Sequence, residues 1–190
     1  MSRLGKTLGR APEPTGAATL IRLRIIATSD LHAHLFPFNY FTDRRDDGVG
    51  LVRAASLIEA LRAEVENCLL VDNGDTLQGA PLGDVAVSDI VPGGRTHPMV
   101  AAMNALGYDA ATLGNHDFDY GLPFLHEAIA GAEYPVVLAN AMTREGAPLF
   151  ARHAILDRTC LDADGTAHAV RVGVIGVAPP QIVQWGRGVL

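Results

Sequence analysis

Two kinds of apolar pattern alternate along the chain. Short apolar runs end in turn residues such as Ser, Asn and Gly, as strands do. Cys68–Asp72 is continuously apolar, which is expected of a strand that is covered on both faces. The predicted strands are Ile21–Thr28, Cys68–Asp72, the weaker run Asp109–Leu113 and, later in the chain, Pro135–Ala139, Ala151–Leu156 and Val170–Val177.

Between these runs, apolar residues recur at intervals of three and four, which places them on one face of a helix. Leu51–Val65 has this spacing, and Pro98–Leu106 adds a proline in its first turn and Gly107 at its C-terminal cap. A third helix is predicted over Leu122–Ala130, ended by Gly131. Because strands alternate with helices, we expect an α/β protein with a parallel sheet.

Polar residues follow the first three predicted strands directly. Asp30-Leu31-His32 comes after the first, Gly74-Asp75 after the second and Gly114-Asn115-His116 after the third. Ligands of open α/β sheets collect outside the carboxyl ends of the strands, so the fold is expected to bring these side chains together. Two carboxylates, two imidazoles and a carboxamide suit divalent metals that bind phosphate oxygens. The ordered triple therefore indicates metal-assisted phosphoester hydrolysis.

Such hydrolysis benefits from two cations about 3.5–4 Å apart, which activate a bridging water and neutralise the phosphoryl oxygens. Asp75, alone on its loop, is our candidate for a bridging carboxylate. Asp30 and His32 can face one ion only if the backbone turns between them. Asn115 offers an amide oxygen to the second ion, which leaves His116 to stabilise the phosphoryl group or to protonate the leaving oxygen.

Asp119 lies three residues after His116 and is a candidate for holding that imidazole in one tautomer and raising its pKa. Taken singly, each of these residues also fits an ordinary turn or surface role, and only their joint order at successive strand ends favours a site. His34 fits a structural or supporting role better than a ligand role, and His97 fits the start of a helix.

Four segments of the sequence carry a family resemblance: ATSDLHAHLFPFNYF, LLVDNGDTLQGAPLGD, HPMVAAMNALGYDAATLGNHDFDYGL and GVIGVAPPQIVQW. They resemble the N-terminal catalytic domain of the bacterial 2′,3′-cyclic-nucleotide 2′-phosphodiesterase/3′-nucleotidase family, in the 5′-nucleotidase branch of the calcineurin-like metallophosphatases. The resemblance implies a calcineurin-like metallophosphoesterase fold, a four-layer α/β/β/α sandwich of which this chain holds the N-terminal portion only, with a dinuclear metal site.

Carried over residue by residue, the resemblance implies four metal ligands: Asp30 and His32 on one ion, Asp75 between both ions and Asn115 on the other. It implies His116 and Asp119 as the catalytic pair. Cyclic-phosphodiesterase members often have Asn where this chain has Asp119, whereas 5′-nucleotidases have Asp, so the preferred ester stays open. The implied activity is the hydrolysis of 2′,3′-cyclic nucleotides and 3′- or 5′-mononucleotides in nucleotide catabolism, by a metal-bridging hydroxide that attacks the phosphorus.

The family completes its second metal site with a Gly-His and a Gly-His-x-His element and grips the base with a C-terminal domain, and neither histidine element occurs in this sequence. We therefore expect residues 21–190 to be the N-terminal part of a metallophosphoesterase domain, after a mobile lead-in over residues 1–20. Two alternatives stay open: a metallophosphatase of another substrate class, and a truncated, non-catalytic fragment that binds one metal or none.

Composition and charge limit the kinds of molecule that the protein is expected to bind. Apolar residues make up 48% of the chain and charged residues 19%, as in a packed domain. A net charge of −6 argues against a nucleic-acid polymer, but not against a mononucleotide or cyclic nucleotide, because bound metals (Mn, Zn, Fe or Co) reverse the local potential. Residues 1–19 lack the apolar run of a secretory signal, and no later run suits a membrane span. The family it resembles is usually periplasmic, so periplasm and cytoplasm both stay open. The oligomeric state also stays open.

Overall fold

The computed structural model describes residues 19–185, so the expected lead-in over residues 1–20 falls outside the described residues except for its last two positions. Within this range the main elements follow in this order: β1 Arg24–Thr28, β2 Phe38–Asn39, β3 Arg44–Arg45, α1 Leu51–Ala63, β4 Cys68–Asp72, α2 Pro81–Val85, α3 Pro98–Leu106, β5 Ala110–Ala111, α4 Leu122–Ile129, β6 His153–Leu161, β7 Ala167–Ile175 and α5 Ile182–Trp185. A π-helical segment, Ala86–Ile90, continues α2, and a 3₁₀ turn, His116–Phe118, precedes α4.

Three parallel strands in the order β1-β4-β5 form the central sheet. Thr28 pairs with Asp72, and Asp72 pairs with Ala111, so the carboxyl ends of the three strands lie level. An isolated parallel bridge from Ala111 to Val136 continues the sheet on the far side of β5. The predicted parallel sheet is confirmed, and the three motif loops leave from the same edge.

Both faces of β4, the central strand of this sheet, are covered. Leu70 is fully buried on the face that α1 and α3 cover, where it packs in one cluster with Ile58 and Met103. Its neighbour Leu69 is 2% exposed and packs on the opposite face with Leu156 of β6. Because successive side chains of a strand point to opposite faces, β4 has the environment predicted from its continuous apolar run.

The expectation of parallel connections does not extend to the last two strands. β6 and β7 form an antiparallel hairpin, with His153 opposite Ile175 at one end and Leu161 opposite Ala167 at the other. A connection as short as residues 162–166 allows only an antiparallel pair, since parallel strands need a crossover of a dozen or more residues. The predicted strand Pro135–Ala139 is reduced to isolated bridges, because the short β5 offers it few partners.

The helices begin and end at recognisable residues. The side chain of His97 caps α3 by accepting a hydrogen bond from the Met99 N–H, and Gly107 ends that helix in the left-handed conformation, with φ of 64°. Both ends of α3 match the prediction, whereas α1 ends at Ala63, two residues before the predicted Val65. Among residues 19–185, none of the helices combines the length and the apolarity needed to cross a bilayer.

Candidate metal centre

The loop after β1 leaves strand geometry at once. Asp30, His32 and Ala33 have positive φ values of 56°, 47° and 56°, which residues other than glycine adopt rarely and at a cost of about 1–3 kcal/mol each. Backbone hydrogen bonds hold them there, from the Asp30 N–H to the Gly74 carbonyl at 3.0 Å and from the His32 N–H to the Asp75 carbonyl at 2.8 Å. The turn expected between Asp30 and His32 is therefore present, and the first two motif loops lie side by side.

Asp30, His32 and Asp75 converge at this edge of the sheet. One ligand atom of each lies within 4.8 Å of those of the other two, and Nε2 of His32 lies 3.8 Å from Oδ1 of Asp30. Two donors that bind one ion at about 2.0–2.2 Å are at most about 4.4 Å apart, so small side-chain movements make the group fit a divalent cation. Asp30 is exposed and the other two residues are half-buried, which leaves the group open to solvent on one side.

A hydrogen bond sets the tautomer of His32. Its Nδ1 lies 2.9 Å from the carbonyl of Gln78, which can only accept, so Nδ1 carries the proton. Nε2 then keeps its lone pair for a metal, as in most metal-bound histidines. Gly79 lies against the same residue, because a Cβ at this glycine would stand 2.6 Å from the Cβ of His32. The segment after Asp75 thus contacts His32 and fixes the orientation of its imidazole.

The second and third motif loops touch through their glycines. A Cβ at Gly114 would overlap Oδ1 of Asp75, and a Cβ at Gly74 would overlap the amide of Gly114. Oδ1 of Asp75 also accepts a hydrogen bond from the His116 N–H at 2.7 Å. The Gly-Asp and Gly-Asn-His motifs lie in contact because neither glycine has a side chain.

Gly114→Ala is expected to weaken metal binding about 10–100-fold, the loss that follows when the support of a ligand is removed. The added methyl must displace the Asp75 carboxylate. Because φ of Gly114 is not positive, alanine adopts this backbone conformation without strain, and the expected effect comes from the steric clash alone. Isothermal titration with Mn²⁺ measures the affinity. The matched control is Gly173→Ala, whose Cβ would only meet Cδ1 of Ile155 at 3.7 Å. An affinity in Gly114→Ala equal to that of the control would contradict the contact.

Asp117 is absent from the residues predicted from the sequence, yet it anchors both loops. Its side chain is buried, and it accepts hydrogen bonds at 2.8–2.9 Å from four backbone N–H groups, those of Gly114, Asp75, Thr76 and Leu77. Burial raises the pKa of this carboxyl to about 6, against the N–H groups, which lower it. The signal in the sequence that could have identified Asp117 is its position, because this acid stands directly between His116 and the apolar Phe118.

A second buried carboxylate supports the same loop from β4. Asp72 accepts hydrogen bonds from the Thr28 hydroxyl at 2.7 Å, the Thr76 hydroxyl at 2.8 Å and the Gly74 N–H at 3.0 Å. Because Thr28 donates its only proton to Asp72, the Tyr108 hydroxyl, 2.8 Å away, donates to Thr28. Burial raises the pKa of Asp72, opposed by these hydrogen bonds. The loop that carries Asp75 is therefore held by buried carboxylates on two sides.

His116 and Asp119 form a pair beside the three converging residues. Nδ1 of His116 lies 2.8 Å from Oδ2 of Asp119, and the His116 ring lies 5.2 Å from the His32 ring between centroids. The hydrogen bond to Asp119 raises the pKa of His116, against desolvation, which lowers it. Both side chains are partly exposed, at 44% and 39%, so the pair is accessible from solvent at the edge of the site.

Asp119→Asn is expected to lower the pKa of His116 toward that of an ordinary histidine, because the amide oxygen carries no charge. A raised pKa keeps the imidazolium present to higher pH, so in the variant the imidazolium is lost at lower pH. NMR titration of the His116 ring in the metal-free chain measures the shift. Asp84→Asn is the control, because it also removes one carboxylate charge, but from a side chain that accepts a hydrogen bond from the Tyr120 hydroxyl and not from His116. An identical midpoint in Asp119→Asn and wild type would show that Asp119 does not set this pKa.

Asn115 and His34 complete the set of residues singled out from the sequence. Asn115 is half-buried and lies next to Gly114, in the loop that contacts Asp75. His34 lies outside the converging group, and its carbonyl accepts a hydrogen bond from the Leu51 N–H at 2.8 Å, which ties the first motif loop to the start of α1. The supporting role favoured for the His34 side chain stays a prediction.

Known proteins share this fold. The sequence profile of the family described as Calcineurin-like phosphoesterase matches residues 23–162. The crystal structure of calcineurin-like phosphoesterase YfkN from Bacillus subtilis superposes with a TM-score of 0.86 at 45% identity, over 90% of this chain and 52% of that one. A putative 5′-nucleotidase from Staphylococcus aureus superposes with a TM-score of 0.65 at 29% identity, over 84% of this chain and 31% of that one.

Curated relatives agree with the structural matches. The trifunctional nucleotide phosphoesterase protein YfkN of Bacillus subtilis is 46% identical over 90% of this chain and 12% of its own length. The 2′,3′-cyclic-nucleotide 2′-phosphodiesterase/3′-nucleotidase of Yersinia enterocolitica is 44% identical over 91% of this chain and 27% of its own length. The chain thus spans about a quarter or less of these relatives. Calcineurin-like phosphoesterases bind divalent metals, which Asp30, His32 and Asp75 suit. With profile, structure and relatives in agreement, the chain belongs to the calcineurin-like phosphoesterase family.

Proposed function

We propose that the protein hydrolyses phosphate esters of nucleotides, with 2′,3′-cyclic nucleotides and 3′- or 5′-mononucleotides as its substrate class. The observation that carries this proposal is the convergence of Asp30, His32 and Asp75 within 4.8 Å, beside the pair formed by His116 and Asp119. The names of relatives at 44–46% identity support the nucleotide as substrate.

Two divalent ions are the proposed cofactor, with Asp30 and His32 on one ion, Asp75 between both and Asn115 on the other. When bound, such ions lower the pKa of a coordinated water and neutralise charge on the phosphoryl oxygens. The oxygen and nitrogen ligands suit manganese, zinc, iron or cobalt. The positive-φ turn at Asp30 and His32 supports this assignment, because strain of this kind accumulates at functional sites.

The chain itself supplies a proton donor in this scheme. Nδ1 of His116 bonds Asp119, so Nε2 is the ring nitrogen that remains for the substrate. As an imidazolium, His116 donates a proton to the leaving oxygen or stabilises the phosphoryl group. Asp119 raises the pKa of His116 and thereby keeps the imidazolium present to higher pH, and it fixes the plane of the ring.

Charge supports a small substrate. The chain has a net charge of −6, whereas a nucleic-acid polymer is bound through many lysine and arginine contacts to phosphates. A mononucleotide needs only local positive charge, which bound metals and the imidazolium of His116 supply.

A substrate panel tests the proposal. The whole protein, loaded with Mn²⁺, Co²⁺ or Zn²⁺, is assayed on bis-p-nitrophenyl phosphate, 2′,3′-cyclic AMP, 3′-AMP, 5′-AMP and a phosphopeptide. We expect hydrolysis of the first compound and a higher kcat/KM for at least one nucleotide than for the phosphopeptide. A preference for the phosphopeptide would replace the substrate class, and inactivity on every compound with every metal would end the enzymatic assignment.

A further inference from the structure

Three polar side chains form a chain of hydrogen bonds at the strand ends that lead into the motif loops. The Tyr108 hydroxyl donates to Oγ1 of Thr28 over 2.8 Å, and Thr28 donates to Oδ1 of Asp72 over 2.7 Å. Tyr108 is 5% exposed and Asp72 is 4% exposed, so the chain of bonds runs through the core. The proposed chemistry assigns no role to Tyr108 or to Thr28. Phenylalanine and valine would fill nearly the same space without polar atoms, which are costly to bury.

Rigid parts of the fold fix both ends of the Tyr108–Thr28 bond. The Tyr108 N–H donates to the Met103 carbonyl at the end of α3, and the Tyr108 ring packs in the core cluster that contains Met103 and Tyr134. Thr28 is the last residue of β1 and lies directly opposite Asp72 of β4. The hydroxyl of Tyr108 therefore has a fixed position, from which it orients the Thr28 hydroxyl toward Asp72.

Gly74 connects this chain of bonds to the candidate metal ligands. Oδ2 of Asp72 accepts from the Gly74 N–H at 3.0 Å and from the Thr76 hydroxyl at 2.8 Å, on either side of Asp75. The Gly74 carbonyl in turn accepts from the Asp30 N–H at 3.0 Å. A displacement of Gly74 would therefore be passed on to Asp30 through a hydrogen bond and to Asp75 through the covalent backbone.

The backbone at these positions needs support from outside. Asp30, Gly74 and Asp75 have positive φ values of 56°, 91° and 58°. Residues other than glycine keep such conformations only where the surrounding structure determines them. The bonds that start at Tyr108 end on this strained segment. The two carboxylates that the metal centre needs thus depend on the position of one glycine peptide.

We propose that Tyr108 and Thr28 are positioning residues of the metal centre, because through Asp72 they hold Gly74 and with it the backbone of Asp30 and Asp75. The inference rests on the proposed metal centre for its functional meaning. It assigns to the end of α3 a part in ordering the metal ligands, although Tyr108 itself contacts neither a ligand nor the substrate.

Two tyrosine substitutions give a matched comparison. Tyr108→Phe removes the hydroxyl that bonds Thr28, whereas Tyr134→Phe removes a buried hydroxyl of the same cluster that bonds Sδ of Met103 at 3.4 Å. Isothermal titration of the whole protein with Mn²⁺ is expected to show about 3–10-fold weaker binding in Tyr108→Phe, the scale of one hydrogen bond, and wild-type binding in Tyr134→Phe.

Substitutions of Thr28 test the next bond. Thr28→Val removes the donor to Asp72 with little change of shape, and about 10-fold weaker Mn²⁺ binding is expected because the lost bond is to a carboxylate. Thr28→Ser keeps the hydroxyl and should bind like wild type. Proton–nitrogen NMR of the metal-free protein gives a readout that does not depend on the metal. The amide protons of Gly74 and Asp30 should move upfield in Thr28→Val and Tyr108→Phe and stay in place in Thr28→Ser and Tyr134→Phe.

Tm of all four variants separates positioning from general stability. The proposal is overturned if Thr28→Val and Tyr108→Phe keep the amide shifts and Mn²⁺ affinity of wild type. It is also overturned if affinity in the four variants simply follows Tm, with Tyr134→Phe as weak as Tyr108→Phe. The expected amide shifts in a protein whose wild type binds no Mn²⁺ would uphold the bonds to Gly74 and reject the metal centre.

Discussion

Asp75→Asn is expected to lower the affinity for Mn²⁺ or Co²⁺ by more than about 100-fold, beyond the 10–100-fold typical when only the support of a ligand is lost. The substitution keeps an oxygen that accepts from the His116 N–H, so the loop contact at 2.7 Å is preserved. It removes the charge from the carboxylate that lies with Asp30 and His32. Hydrolysis of bis-p-nitrophenyl phosphate by the whole protein should fall in parallel.

Isothermal titration measures the affinity, and Asp164→Asn is the matched control. Asp164 is exposed in the turn between β6 and β7, and that hairpin end lies against the amino end of β4 through the Asn67 side chain, away from the motif loops. The control removes the same charge and should bind metal like wild type. Equal affinities in the two variants would mean that Asp75 is not a ligand.

Asp117→Ala is expected to destabilise the fold by about 4 kcal/mol or more. Four backbone N–H groups lose their acceptor, and each buried N–H without a partner costs about 1–3 kcal/mol, although water entering the space left by the side chain satisfies some of them. The free energy of unfolding is measured by urea denaturation, with Asp164→Ala as the exposed control. A loss below about 1 kcal/mol would show that the four hydrogen bonds do not hold the loops.

Metal binding gives Asp117→Ala a second readout. Two of the four N–H groups belong to Asp75 and Gly114, which form the contact between the second and third motif loops. We therefore expect the variant to bind Mn²⁺ more weakly even under conditions where it is fully folded. This separates the role of Asp117 as an anchor of the loops from its general contribution to stability.

Local sequence signals were sufficient for much of the fold. Cys68–Asp72 and Pro98–Leu106 have the same bounds in the sequence prediction and in the structure, because turn residues and caps mark their ends. The direction of β6 relative to β7 follows instead from the pairing of two strands and the short turn between them, which apolar periodicity does not encode. β5 is reduced to Ala110–Ala111, since the run that predicted it is weakly apolar.

Some residues of the site could be predicted from the sequence, and others could not. Asp30, His32 and Asp75 follow from strand ends and motif order, and the structure brings them together. Asp117 bonds the backbone N–H of Leu77, 40 positions away in the chain, and apolar periodicity does not encode such a contact. The positive φ of Asp75, 58°, is likewise imposed by the bonds between loops and not by the residue type.

Anomalous diffraction at the manganese edge, from crystals of the whole protein grown with Mn²⁺, tests the metal centre most directly. We predict a peak bound by an oxygen of Asp30, by Nε2 of His32 and by an oxygen of Asp75, and a second peak that Asp75 shares with Asn115. The distances from each ion to its ligand atoms should be about 2.0–2.2 Å, as is usual for carboxylate oxygens and imidazole nitrogens. Saturating Mn²⁺ with no peak at this sheet edge, or with peaks bound only by other residues, would contradict the account.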